Sequence, residues 1–125
     1  MRNYSVLLLS LIFLFACTDE EITARKYPRV STEQITDLTT SSMVFHGNIF
    51  FSNSEILEHG FVWTGTGFPT ITNGNKISLG STDKLGFFES AASGTLEDGK
   101  TYLVRAFVQS TDYTVYGELL EFKKP

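Results

Sequence analysis

From Pro28 onward apolar residues alternate one for one with polar ones over short runs, and no stretch there keeps up the helical repeat of about 3.6 residues. A strand points successive side chains to opposite faces, so a period of two demands strands buried on one side and excludes amphipathic helices. Met43, Phe45, Gly47 and Ile49 fall on one face of such a strand, and Ser42, Val44, His46 and Asn48 on the other. Phe61 and Trp63 alternate with Gly60 and Val62. Tyr102, Val104, Ala106 and Val108 alternate with Leu103, Arg105 and Phe107, and Leu120 and Phe122 with Leu119 and Glu121. Between these runs lie Ser52-Asn53-Ser54, Gly65 to Pro69, Asn73-Gly74-Asn75, Gly80 to Asp83 and Glu97 to Lys100, all rich in turn-forming residues. About seven short antiparallel strands, each apolar on one face, predict an all-β fold of two packed sheets.

The stretch "LEDGKTYLVRA" sharpens that expectation. Leu96 and Tyr102 flank a glycine-containing turn at the spacing of a tyrosine corner, in which the ring enters the core and the hydroxyl bonds back to upstream backbone. The 125 residues have room for one domain, and 42% apolar residues with 14% aromatics supply an ordinary core. Ten basic against fourteen acidic residues leave a net charge of −4, which repels phosphate backbones. No basic stripe interleaved with aromatics is present, so nucleic acid is not an expected partner.

The amino-terminal segment follows a different rule. Arg2 precedes the apolar run Val6 to Ala16, which as a helix reaches only about 16 Å, roughly half of a ~30 Å hydrocarbon core. This is the layout of a secretory signal and not of a membrane-spanning helix. Leu14-Phe15-Ala16-Cys17 resembles the lipobox of bacterial lipoproteins. The resemblance implies that the Cys17 thiol receives a diacylglycerol, that the bond before it is then cut, and that the new terminus is acylated, for example with palmitate. Two or three acyl chains hold a protein stably where one holds it marginally. Cys17 is the single cysteine, so the mature chain would have neither a disulfide nor a thiol nucleophile. Thr18-Asp19-Glu20-Glu21 follows, and an acidic run in that position looks like the surface-export signal of outer-membrane lipoproteins in bacteria of the Bacteroidetes kind. The expected organisation is a signal peptide over 1–16, the lipidated cysteine with an acidic linker over 17–27, and the sandwich over 28–125.

Several stretches of the body together resemble the fibronectin type III-like repeat of bacterial cell-surface proteins. They are Pro28-Arg29-Val30-Ser31-Thr32, Gly47, Gly60-Phe61-Val62-Trp63, Gly86-Phe87, Leu96 through Ala106, and Tyr116-Gly117 through Phe122. The resemblance implies an immunoglobulin-like sandwich with Trp63, Leu96 and Tyr102 as its structural hallmarks. Two positions depart from the pattern: Asp98 stands where the repeat usually has proline, and Tyr113 where the last hairpin commonly has a small residue.

Signals for catalysis are weak. His46 and His59 stand thirteen positions apart without a ligand motif, His46 on a solvent-facing strand face and His59 within reach of Glu58 or Glu55, so no metal site is expected. Gly65-Thr66-Gly67-Phe68 leads into Pro69 and strand-like sequence, so it is a turn and not a phosphate cradle. No G-x-S-x-G elbow occurs. The expectation is a protein that is not an enzyme and takes no cofactor. Two surfaces suggest binding. Leu103, Arg105 and Phe107, beside Val62, form an outward strand face suited to protein contact or cation–π stacking, or else the Arg105 stem and Phe107 pack on each other. At one pole, Phe50, Phe51 and Asn53 of one loop, Asp83 of another, and Asp112 and Tyr113 of the last offer aromatics with acids and amides, as a sugar-binding patch would, or Phe50 and Phe51 cap the core. The amino terminus is expected at that same pole. The functional expectation is a lipid-anchored, non-catalytic surface module that binds a protein or glycan, a role implied by the resemblance to adhesion and polysaccharide-utilisation surface modules. The alternatives are a docking subunit of an outer-membrane complex and, remotely, a small hydrolase. The expected location is the outer membrane, facing outward, with the periplasmic face as the alternative.

Overall fold

In a computed structural model, residues 27–125 are described and form eight strands with no helix among them. The expected signal peptide over 1–16, Cys17 and all but the last residue of the expected linker over 17–27 lie outside the described residues. The strands are β1 (Arg29–Thr36), β2 (Ser42–Phe51), β3 (Ile56–Thr64), β4 (Asn75–Ser78), β5 (Gly86–Ser93), β6 (Thr101–Ser110), β7 (Thr114–Tyr116) and β8 (Leu120–Lys123). They build an antiparallel three-stranded sheet, β1-β2-β5, and an antiparallel five-stranded sheet, β4-β3-β6-β7, with β8 also pairing β6. This is the two-sheet sandwich that the alternation predicts, of the immunoglobulin-like form that the resemblance implies.

The core holds the residues that the alternation places inward. Met43, Phe45 and Ile49 of β2 face Phe61 and Trp63 of β3, Tyr102, Val104, Ala106 and Val108 of β6, and Phe122 of β8, all buried. Phe45 sits among Phe61, Trp63 and Phe122, with ring centroids 5.6, 6.1 and 5.7 Å away. The tyrosine corner forms as read. Leu96 is buried, Tyr102 stacks on Phe122 at 5.5 Å, and the Tyr102 hydroxyl accepts a hydrogen bond from the Glu97 backbone N–H at 2.9 Å. Asp98 replaces the usual proline without harm to the turn. Its carboxylate accepts a hydrogen bond from Lys124 at 2.8 Å, and that hydrogen bond and charge hold its pKa below the ordinary value.

The expected seventh strand is split. After β7 the chain kinks at Gly117-Glu118-Leu119 before pairing resumes in β8, and β1 fills the gap. The Thr32 hydroxyl accepts the buried Ala106 N–H at 2.9 Å, the Thr32 N–H donates to Glu118 Oε1 at 3.0 Å, and the Gly117 N–H donates to the Ala106 carbonyl at 2.8 Å. A Cβ on Gly117 would lie 2.6 Å from both Thr32 N and Thr32 Oγ1, so glycine is needed for the approach. Thr32 and Gly117 are therefore one unit, joining the two sheets. Thr32→Val keeps the shape but leaves the Ala106 N–H buried without a partner, at a cost of about 1–3 kcal/mol. Thr32→Ser keeps the hydroxyl and should lose about 0.8 kcal/mol for the missing methyl. Equal shifts of the two urea midpoints would show that the hydrogen bond is not the source.

One end of the sandwich gathers the start of β1, the β2–β3, β4–β5 and β6–β7 connections, and Tyr27. The sequence leads one to expect the amino-terminal linker at this end, the tether pole of the expected anchor. The close of β8, paired with the start of β6, lies at the opposite pole.

Candidate binding surfaces

Leu103, Arg105 and Phe107 do point away from the sandwich core, and Val62 pairs with Arg105 across the sheet as expected. The face they form is nevertheless not open. Phe107 and Val62 have no exposed surface and Leu103 is half-buried, which corrects the expectation of an exposed apolar face. The cause is the connection from β3 to β4, residues 65–74, which folds back over the sheet. Its Pro69 is fully buried, and the Pro69 carbonyl accepts from Arg105 Nε at 2.9 Å. The Arg105 guanidinium lies 3.9 Å from the Tyr116 ring centroid, and the Tyr116 hydroxyl accepts from the Ile71 N–H at 3.0 Å. Arg105 is thus a clamp for this strap, held by a cation–π contact and a charge-assisted hydrogen bond. Phe107 belongs to a small second core. Elsewhere on this sheet, Glu58 meets Lys76 at 3.3 Å, and a hydrogen bond from Ser78, reinforced by Lys76, holds the Glu58 carboxyl below its ordinary pKa.

The tether pole divides its expected residues into two groups. Phe50 lies within β2 and not in a loop, 48% exposed, with the Arg29 guanidinium 5.4 Å from its ring centroid. Tyr113, in the β6–β7 hairpin, packs at 5.9 Å on Tyr27, and each is 40% exposed. Arg29 and Phe50 line a depression with Val115 of β7, so these aromatics surround the point where the chain enters the domain. Asp83 stands with the second group. It borders an open depression of about 390 Å³ with Glu55, Thr82 and Lys84, beside the bridge that joins Ile56 to Thr82. Strand β6 separates this group from β7. Asp112 is exposed in the hairpin next to Tyr113. Asp83 and Tyr113 therefore line different parts of this pole.

The outer face of the three-stranded sheet is a surface that the sequence reading passed over. Phe87 of β5, opposite Asn48 of β2, is 80% exposed. His46, opposite Glu89, lies 3.5 Å from its carboxylate through Nδ1 and 2.8 Å from Thr36 Oγ1 through Nε2. Glu33 and Gln34 of β1 complete the rim of an open depression of about 220 Å³. The signal was present in "GFFES". Two adjacent aromatics in a strand must face opposite ways, so when Phe88 packs inward on Phe61 and His59, Phe87 is left outside. His46 thus lies on the outer face as read. His59 meets neither Glu58 nor Glu55 as a partner; it is buried, with Nδ1 2.8 Å from the Gly80 carbonyl and its ring 4.9 Å from Phe88. Among the described residues no three of His, Cys, Asp and Glu gather as a metal ion would require.

No protein-family model and no curated protein matches this chain. Among solved structures, the sensor domain of the anti-sigma factor RsgI4 in Pseudobacteroides cellulosolvens is similar, with a TM-score of 0.57 and 11% identity. The match covers 81% of this chain and 97% of that one. At that identity the likeness is one of fold alone.

Proposed function

We propose that the chain is a non-catalytic binding module held by a lipid on Cys17 at the surface of the outer membrane, and that its ligand docks on the Phe87 face. The carrying observation is Phe87 itself, 80% exposed on a regular sheet beside Asn48, His46 and Glu89. An exposed phenylalanine gains stability when a ligand covers it. A flat ring flanked by an amide, an imidazole and a carboxylate matches the two demands of a sugar, an apolar face to stack on and hydroxyls to bond.

The edge of β5 favours a second reading, a docking subunit of a surface complex. Unpaired sheet edges normally carry a device against strand addition, such as a bulge, a lysine or short length. Strand β1 has register shifts, β4 has four residues and Lys76, and β7 and β8 are short pieces. Strand β5 runs eight residues in unbroken register against β2 and contains neither lysine nor proline. An extended segment of a partner could pair there and cover Phe87.

One experiment separates the readings. The protein is purified in mild detergent as wild type and Phe87→Ala, a substitution that removes no buried contact, then tested for co-purifying partners and on a glycan array. Glycan binding that weakens about tenfold or more in the variant, close to 1.4 kcal/mol or above, supports the binder. A stoichiometric partner lost in the variant supports the subunit. Binding unaffected by the substitution removes Phe87 from the site, and hydrolysis of an arrayed glycan overturns both readings.

A further inference from the structure

We propose that the tether pole itself is a lipid-contact surface, with Tyr27, Arg29, Phe50 and Tyr113 resting in the headgroup region of the bilayer that carries the anchor. The inference depends on the proposed lipidation of Cys17. Its starting point is where the chain enters the domain. Tyr27 is ten positions from Cys17, so at ~3.3–3.6 Å per residue the pole stands at most about 35 Å from the lipidated residue. The same pole exposes the three aromatic rings.

The chemistry of the patch selects the occupant. Tyrosines with a wet hydroxyl and an apolar ring, together with arginine on a flexible stem, are the side chains that settle at a membrane–water interface. A sugar needs a free ring face of fixed orientation. Here the Tyr27 and Tyr113 rings are tilted 59° against each other, and Arg29 lies over Phe50. A lipid interface imposes no such shape requirement. At the opposite pole, the connections at residues 37–41 and 95–100 carry threonine, serine and charged residues and no aromatic ring, with Phe68 on the nearby strap the one exposed aromatic in that region. Charge also shapes the expectation. Arg29 and Lys84 are nearly balanced by Glu55, Asp83 and Asp112, so the pole has little net attraction for anionic lipid. The contact therefore depends on the anchor, which converts a weak encounter into an intramolecular one. It holds the strands upright and turns the Phe87 face sideways, clear of the membrane.

The test uses the mature lipidated protein from the membrane fraction, reconstituted in phosphatidylcholine vesicles. With Cys17 acylated, an introduced cysteine is the one free thiol, so a dye is placed at Thr111→Cys in the tether-pole hairpin or at Ser41→Cys at the opposite pole. Brominated phosphatidylcholine should quench most of the emission at residue 111 and leave residue 41 bright. Adding Phe50→Ala and Tyr113→Ala should restore much of the lost emission, and replacing part of the lipid with phosphatidylglycerol should change little. Vesicles that float the protein while both dyes stay bright, or are quenched alike, overturn the pole contact and leave the anchor standing. Protein that fails to float, or that takes up dye at Cys17 as well, overturns the anchor and the inference with it.

Discussion

Changing Gly60 to alanine should cost the sandwich about 3 kcal/mol, the largest loss expected from adding one methyl group anywhere in the domain. A Cβ at residue 60 would lie 1.9 Å from the Ile77 carbonyl oxygen and 3.0 Å from the carbonyl carbon. Those are backbone atoms of the paired strand β4, so no rotamer change can relieve the overlap; β4 must move off β3. Gly60 pairs with Ser78 at the end of that four-residue contact, and the neighbouring pair joins core residue Phe61 to Ile77. Displacing β4 therefore also loosens the core. Gly99→Ala is the right comparison. Its φ of 76° is left-handed but nothing lies within 4 Å of the added atom, so it should cost only the ~1–2 kcal/mol of the strained conformation. For a domain of this size each kcal/mol moves the melting point by about 4–8 °C. A Gly60→Ala midpoint no lower than that of Gly99→Ala would remove the close approach as the reason for glycine in this segment.

The elements that could be read from sequence are those whose cause is local. Met43, Phe45 and Ile49 need only a pleat and a neighbouring sheet to become core, and the tyrosine corner needs only the turn between Leu96 and Tyr102. Phe107 obeys the same alternation, yet it is buried on a face that a strap beginning some forty positions earlier folds over, tied to Arg105 through Pro69, and nothing in "TYLVRAFVQ" announces that cover. Thr32 shows a middle case. The resemblance marks the residue, but its task, satisfying Ala106 where the last strand breaks, depends on a contact 74 positions away. Tyr113 stands out in the sequence as an aromatic in a hairpin, while its partner Tyr27 is distant in sequence. An outward ring was legible from the Phe87-Phe88 pair alone. Only one of the two adjacent rings can enter the core, and which one does depends on the register of β5 against β2.

Cys17→Ala should abolish fatty-acid labelling and release or mislocalise the protein. At ~0.8 kcal/mol per buried methylene, two or three acyl chains make release negligible, whereas the near-neutral tether pole offers nothing of comparable strength once the chains are gone. Loss from the outer membrane should therefore be close to complete. The resemblance to the lipobox adds a second readout. If cleavage waits for the thiol to be modified, the variant should accumulate with residues 1–16 still attached, heavier than the mature chain by the mass of the signal. A third readout protects the interpretation. Cys17 is the chain's single cysteine and lies outside the sandwich of residues 27–125, so the thermal midpoint of that domain should not move. Lost labelling with an unchanged midpoint assigns the effect to the anchor and not to misfolding. Labelling that persists in the variant would place the lipid elsewhere or nowhere, and the contact proposed for Phe50 and Tyr113 would lose the tether that makes it favourable.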